Sequence, residues 1–245
     1  VTPAVAHCHL DRAGGAAALH PATGGAVLAV TVLPRHWRTL RRIHHPRVTW
    51  ALGLHPAEPH TTRDLDELLD ALQEADAIGE IGLDGTPGAP VPLARQRAEL
   101  DRILAHPAAR DRLVSIHSRL AAKPLIEHLA AARLPAAVLH WFTGTPRQAE
   151  AAADTGAWFS VNAAMSRRLD ALRAIPADRL LVETDAPYAG HRSAPGNVDG
   201  AVAAVAAAWD IAAVDAARRV AANERTLAAV LARDPFALHD QRSTT

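Results

Sequence analysis

One cysteine, Cys8, and one lysine, Lys123, are all that the 245 residues contain of either type. A lone thiol excludes a disulfide framework and suits a reducing interior. Aromatic residues make up only 4% of the chain, which argues against an extended platform for stacking bases. Charge of one sign is also missing, because 26 basic and 26 acidic residues cancel. No overall field therefore draws a long duplex or an anionic membrane, and a nucleic-acid role needs a local Arg-lined groove or a metal centre. No stretch approaches the roughly 20 apolar residues that span a bilayer, and the first residues lack a basic patch followed by an apolar run. These features predict a soluble, cytoplasmic protein with no membrane partner. With 49% apolar and 21% charged residues, whole-chain disorder is excluded.

What is present is a recurrence of short apolar or β-branched runs: 5–9, 26–33, 48–55, 77–83, 113–117, 137–141, 157–161 and 180–184. Between them lie segments with helical spacing. In 61–74, Leu65, Leu68, Leu69 and Leu72 form one stripe behind Thr61 or Thr62 as cap, and 123–132 carries Pro124 in its first turn. Two further helical tracts, 201–208 and 214–231, flank a turn-like Trp209–Asp210. Residues 84–92, rich in Gly and Pro, and 192–200 read as loops. Eight strands alternating with helices in this length fit a (β/α)₈ TIM barrel, whereas six or seven would fit a doubly wound sheet. With no composition break or linker in view, the expectation is one domain over residues 1–245.

The placement of polar residues strengthens that reading. His7 and His9 close the first run, His55 the third, His117 the fifth and His140 the sixth, while Glu80 lies inside the fourth and Asp185 follows the eighth. Polar groups at the C-terminal ends of barrel strands converge on one site. In His7-Cys8-His9, period-two alternation turns both imidazoles to one side and Cys8 toward packing on the other. An HxH pair alone is as well explained by two polar interior residues. Glu80 changes the balance, because a carboxylate set among Ile, Gly and Leu is costly to bury unless paired or coordinated. A bidentate carboxylate can bridge two ions about 3.5–4 Å apart, a separation useful in hydrolysis. His117 and His140 then complete a second site, and Asp185 ligates the first ion and orients its water. Lys123 lies beyond the fifth run, which disfavours a carbamylated-lysine bridge.

These motifs resemble the TatD family of metal-dependent deoxyribonucleases, within the wider amidohydrolase-like barrel group. The resembling stretches are His7-Cys8-His9-Leu10-Asp11, Gly53-Leu54-His55-Pro56, Ile78-Gly79-Glu80-Ile81-Gly82-Leu83-Asp84, Ile116-His117-Ser118-Arg119, His140-Trp141-Phe142-Thr143-Gly144 and Glu183-Thr184-Asp185-Ala186-Pro187, with Asn197 and Asn223 as further matches. Leu139–Gly144 together with Trp158–Val161 is similar to the QatD subgroup of bacterial antiphage systems, which implies protein partners in defence. The resemblance implies two divalent ions, Mg, Zn or Mn, with His7, His9, Glu80 and Asp185 at one and Glu80, His117 and His140 at the other. It implies hydrolysis of DNA, including removal of nucleotides from the 3′ end of single strands, with His55 near the metals and meeting substrate phosphate. Two departures stand out. Val5 occupies the place of the family's usual acid before the first histidine, and Gly85 replaces an aromatic after Gly-Leu-Asp.

Charge assigns roles within that frame. Glu80 bridges, and Asp185 holds the attacking water and accepts its proton. Glu183, two residues earlier on an extended strand, shares Asp185's side and orders a ligand from behind, or serves as a structural ion-pair partner. Arg119 reaches a substrate phosphate with its fork, or caps a helix or pairs on the surface. His191 and Arg192 are further phosphate contacts. Trp141 or Phe142 stacks on a terminal base, while the other faces the barrel wall. Two other readings use the same residues: a hydrolase of a small phosphoester or amide, and a metal-binding subunit of a defence complex with weak activity of its own.

Overall fold

The computed structural model describes residues 2–19, 24–189 and 195–238. Eight strands, β1 Val5–Cys8, β2 Val27–Val30, β3 Val48–Leu52, β4 Ala77–Gly82, β5 Val114–His117, β6 Ala137–Leu139, β7 Trp158–Val161 and β8 Leu180–Val182, pair in parallel in chain order. The ring is drawn together at its seam, where the amides of Thr184 and Asp185 donate to the His7 carbonyl at 3.3 and 3.2 Å and the His9 amide donates to Ala186. The TIM barrel expected from the alternating pattern is what forms. The helices are α1 Pro34–Leu40, α2 Thr62–Ala71, α3 Leu93–Ala105, α4 Ala122–Ala132, α5 Pro146–Asp154, α6 Leu169–Arg173, α7 Asp199–Trp209 and α8 Ala213–Ala228. Thr61 caps α2, and with Asp64 it forms a complete capping box. Buried Leu65 and Leu68 bring that helix onto the strands, each contributing about 1.5–3 kcal/mol on burial.

The strands are shorter than the apolar runs, because ladder pairing stops where the chain turns outward at the mouth. His9, His55 and His140 consequently sit just past their strands rather than in them. Burial on both faces explains the unbroken apolar runs. Outward rows, such as Val27 with Ala29 and Ile78 with Ile81, pack with the helices in the main core, while Leu28, Val30, Ala51, Val138 and Leu181 belong to a second cluster. Following that second set along each pleat leads to the functional end. Leu113, Ser115 and His117 lie in one row, Ala136, Val138 and His140 in the next, and Trp158, Ser160 and Asn162 in a third. One periodicity thus fills the barrel with apolar side chains and presents polar ones at its C-terminal mouth.

Among the described residues no single helix is long and apolar enough to cross a membrane. Asn223 fastens α8 to the strand end through bonds to the carbonyls of Ala177 and Leu180, both 2.8 Å. Asn197 accepts from the Asp199 amide at the start of α7. These two asparagines belong to the scaffold.

Candidate metal centre

β4 is the axis of the site. At Gly82, φ is +135° and a Cβ would lie 2.2 Å from the His117 carbonyl, so only glycine allows β4 and β5 to approach this closely. Glu80 is 1% exposed, and its two oxygens face opposite groups of imidazoles. Oε2 is 3.0 Å from His9 Nε2 and 3.6 Å from His7 Nε2, while Oε1 is 2.7 Å from His140 Nε2, 2.8 Å from His117 Nδ1 and 3.2 Å from His55 Nε2. Burial opposes ionisation of Glu80, but the charges of His55 and His140 and hydrogen bonds from His117 and His140 hold its carboxyl well below the ordinary range.

Asp185 Oδ1 stands 3.6 Å from both His7 Nε2 and His9 Nε2. Burial pushes its carboxyl up to about 7, against the pull of His140 and His9 and with the repulsion of Glu183 and Glu80 added. Its backbone takes φ +45°, a left-handed turn that aspartate tolerates. The expectation of one extended strand through Glu183 and Asp185 is therefore corrected. β8 ends at Val182, and the two carboxylates reach different neighbours. Glu183 accepts from Ser160 Oγ and, at 3.1 Å, from Asn162 Nδ2, and lies 3.7 Å from His140 Nδ1. It stands behind His140 and forms no ion pair with Lys or Arg among the described residues.

Each remaining imidazole also has a partner on its far side. His7 stacks on His140 with ring centroids 3.8 Å apart, and its Nδ1 lies 2.8 Å from Ser115 Oγ. Burial and the charge of His140 lower the His7 pKa well below its usual value. A proton on Nδ1, toward Ser115, would leave Nε2 with a lone pair for the centre. His117 Nε2 is 2.8 Å from Asp84 Oδ2, and that contact keeps Asp84 ionised to low pH against the opposing effect of burial. Behind His9, Asp11 lies 3.8 Å from Nδ1 and 3.6 Å from His36 Nδ1. For His9, burial is outweighed by the nearby carboxylates of Asp11, Glu80 and Asp185, and its pKa rises to about 9.

The residues fit divalent cations. Three triads, His7–His9–Asp185, His7–Glu80–His140 and His55–Glu80–His117, each bring ligand atoms within 4.8 Å of one another. Glu80 Oε2 and Asp185 Oδ1 are buried with no hydrogen-bond partner among the described residues, a costly arrangement for carboxylates that a cation would relieve. His55, read from the resemblance as a phosphate contact, stands as near to Glu80 as the other imidazoles.

Above the cluster is a cavity of about 530 Å³, with Arg119, Trp141 and Tyr188 in its walls. Arg119 is exposed and makes no ion pair among the described residues, so a surface-pairing role for it is not seen. Trp141, at φ +37°, occupies a conformation that costs a bulky residue roughly 1–2 kcal/mol. Its neighbour Phe142 is buried edge-on against Phe159, which leaves Trp141 as the ring on the cavity. Tyr188 sets its ring edge-on to His9, centroids 5.0 Å apart. His191 and Arg192 lie outside the described residues. Sequence reasoning gave no role to Ser115, Asp84, Asp11, Ser160, Asn162 or Tyr188. Only the period-two rows ending in His117 and Asn162 could have pointed to Ser115 and Ser160.

A ring of parallel strands with imidazoles and buried carboxylates gathered at its C-terminal mouth defines the class of TIM-barrel metal-dependent hydrolases. Residues 6–228 match the family model described as TatD related DNase, and the chain belongs to that family. The 3'-5' ssDNA/RNA exonuclease TatD of Edwardsiella piscicida is 38% identical over 158 residues, 59% of this chain and 60% of that protein's length. The uncharacterized metal-dependent hydrolase YjjV of Escherichia coli K12 is 32% identical over 202 residues, 74% of this chain and 78% of that one. The crystal structure of YjjV, a TatD homolog, gives a TM-score of 0.78 at 27% identity and covers 92% of this chain and 97% of its own. A TatD family hydrolase from Entamoeba histolytica, at 17% identity, shares the fold with a TM-score of 0.70 over 92% of this chain and 97% of its own.

Proposed function

We propose that this protein is a metal-dependent exonuclease that removes nucleotides from the 3′ end of single-stranded DNA. The observation that carries the reading is Glu80, a buried carboxylate whose oxygens face His7 and His9 on one side and His117, His140 and His55 on the other. Two divalent ions, Mg, Zn or Mn, would be held by His7, His9, Glu80 and Asp185 and by Glu80, His117 and His140. Bound there, they would polarise a phosphodiester and lower the pKa of a water.

The chain's own groups supply the rest. Asp185 orients the attacking water and takes its proton at Oδ1. Glu183 fixes the ring of His140, Asp84 that of His117 and Ser115 that of His7, so ligand nitrogens stay aimed at the centre during turnover. Arg119 offers its exposed guanidinium to a substrate phosphate, and His55 sits beside the same oxygens. Trp141 and Tyr188 give the terminal nucleotide two aromatic surfaces, enough for one base rather than a long stack. The names carried by the TatD relatives support nucleic acid as substrate.

Digestion of single strands labelled at either end, by metal-stripped protein reloaded with Mg²⁺, Mn²⁺ or Zn²⁺, tests the reading. A ladder shortened stepwise from the 3′ end is expected. Random internal cuts would make it an endonuclease, and intact strands with every metal would favour a small-ester hydrolase or a binding subunit. We also read Leu139–Gly144 and Trp158–Val161 as placing the chain in the QatD subgroup of antiphage systems. Protection of cells against phage that disappears with Glu80→Gln is the expected result, and equal protection by that variant would count against it.

A further inference from the structure

In a molecule with no net charge, the place where unpaired arginines collect is informative. On the side of the mouth near β1–β3 the cations are engaged: Arg12 meets Glu58 at 2.7 Å and Arg35 meets Asp64 at 3.4 Å. The segment after β7 differs. Ala163–Arg167 forms a 3₁₀ turn and Arg168 leads into α6. Arg167 and Arg168 are exposed, and neither makes a side-chain hydrogen bond or ion pair among the described residues. With Gly144, Pro146, Ser166 and Arg173 they line an open groove of about 570 Å³. The carboxylate in that groove, Asp170, is engaged with Arg173 at 3.2 Å.

The groove adjoins the metal centre. Thr143 lines the central cavity and the next residue, Gly144, lines the groove, both in the loop between β6 and α5. Arg119 follows β5, and Arg167 and Arg168 follow β7, so both segments open on the same end of the barrel as Glu80 and the imidazoles. The central cavity has the volume of a site for one small ligand, and the remainder of a strand must leave it over the rim. Unpaired arginines on the β5–β7 side of that rim, among them Arg119, Arg167 and Arg168, mark one exit.

We propose that this groove binds the phosphodiester backbone of a single strand whose 3′ end occupies the central cavity, with Arg167 and Arg168 on successive phosphates and Ser166 donating its hydroxyl to one of them. The proposal rests on the function proposed above and adds the path of the strand. Among the described residues no aromatic side chain lines the groove, so it contacts phosphate and sugar and takes any base sequence.

The test uses the full chain loaded with metal, and compares wild type, R167A/R168A and R167K/R168K. The probes are a labelled trinucleotide and a labelled 20-mer with the same 3′ sequence, each made in a hydrolysis-resistant phosphorothioate form for binding and an ordinary form for turnover. R167A/R168A should weaken 20-mer binding on the order of tenfold and raise its KM similarly with kcat unchanged, while the trinucleotide is bound and cut as by wild type. The slope of log affinity against log salt should flatten by about 1.4, at ~0.7 for each phosphate left without its arginine. The Lys pair should keep most of the affinity, because it keeps the charge. Equal 20-mer binding by wild type and R167A/R168A would overturn the proposal, as would equal weakening of both probes, absence of any strand binding, or displacement of the 20-mer by polyglutamate as readily as by unlabelled DNA. Arginine-dependent binding without cutting would leave the groove standing and remove the exonuclease reading. Cutting with arginine-independent binding would do the reverse.

Discussion

Glu80 and Asp185 are both buried beside the same imidazoles, yet their carboxyls shift in opposite directions: the histidines hold Glu80 well below the ordinary range, while burial pushes Asp185 up to about 7. A group poised near neutrality suits proton transfer. Asp185→Asn keeps a carbonyl oxygen for ligation and loses the base, so with metal content matched it should bind single strands normally and hydrolyse them at least ~10²-fold more slowly. Single-turnover kinetics on samples of measured metal content decide it, and an unchanged rate would remove Asp185 as the base. Glu224 offers a residue-scale test away from the site. Burial raises its carboxyl to about 8, despite the Ala4 amide donating to it at 2.8 Å. A carboxyl raised in the fold contributes stability below its unfolded value near 4.5 and loses it as pH rises through about 8. Glu224→Gln, which still accepts from Ala4, should match wild type near pH 4.5 and gain on the order of 1 kcal/mol by pH 9, about 2–4 °C in Tm. Parallel Tm curves across that range would contradict the assignment. The chemistry-bearing residues were legible because the histidines close apolar runs, Glu80 interrupts one and Asp185 follows another. Their supports were not: Ser115, Asp84 and Asn162 are small polar residues whose partners lie on other strands, and nothing local to them announces a bond across the barrel.

β4 shows how an element positions a site. It carries Glu80 inward between two glycines with positive φ, Gly79 and Gly82, which make room for β5. Gly82→Ala drives a Cβ into the His117 carbonyl on a backbone that L residues resist, and should cost more than about 3 kcal/mol or prevent folding. Gly88 is the control. It also has positive φ, +79°, but among the described residues nothing lies within 4 Å of its Cβ position, so Gly88→Ala should cost only about 1 kcal/mol from the backbone alone. Thermal unfolding of both variants tests this, and equal losses would show that the close approach to β5 is not what selects glycine. Element types followed from periodicity, since strands buried on both faces read as short apolar runs and α2 as a Leu stripe. Their ends did not, because pairing stops where the neighbouring strand turns away, and the left-handed turn at Asp185 depends on contacts with β1.

At the scale of the molecule, the barrel gathers six strands' worth of polar residues into a space where five imidazoles and two buried carboxylates cost stability until cations offset them. Chelation should therefore lower Tm, and metal at about 100 times its Kd should restore roughly 2.7 kcal/mol, equivalent to about 5–10 °C for a chain of this length. A Tm indifferent to chelator and metal would mean that the cluster is stable without ions. The architecture was readable from eight runs in order with ligands at one end. The Arg167–Arg168 groove was not, since it exists only where the loops after β6 and β7 meet.

The most direct measurement reads bound metal per chain and release of the 3′-terminal nucleotide on the same samples, for wild type and Glu80→Gln, as each metal-stripped protein is titrated with Mn²⁺. Stripped wild type should release nothing, release should rise with metal bound, and Glu80→Gln, folded but without its anionic bridge, should stay low in both. Release of nucleotide by fully stripped wild type, or wild-type metal content and rate in Glu80→Gln, would contradict this.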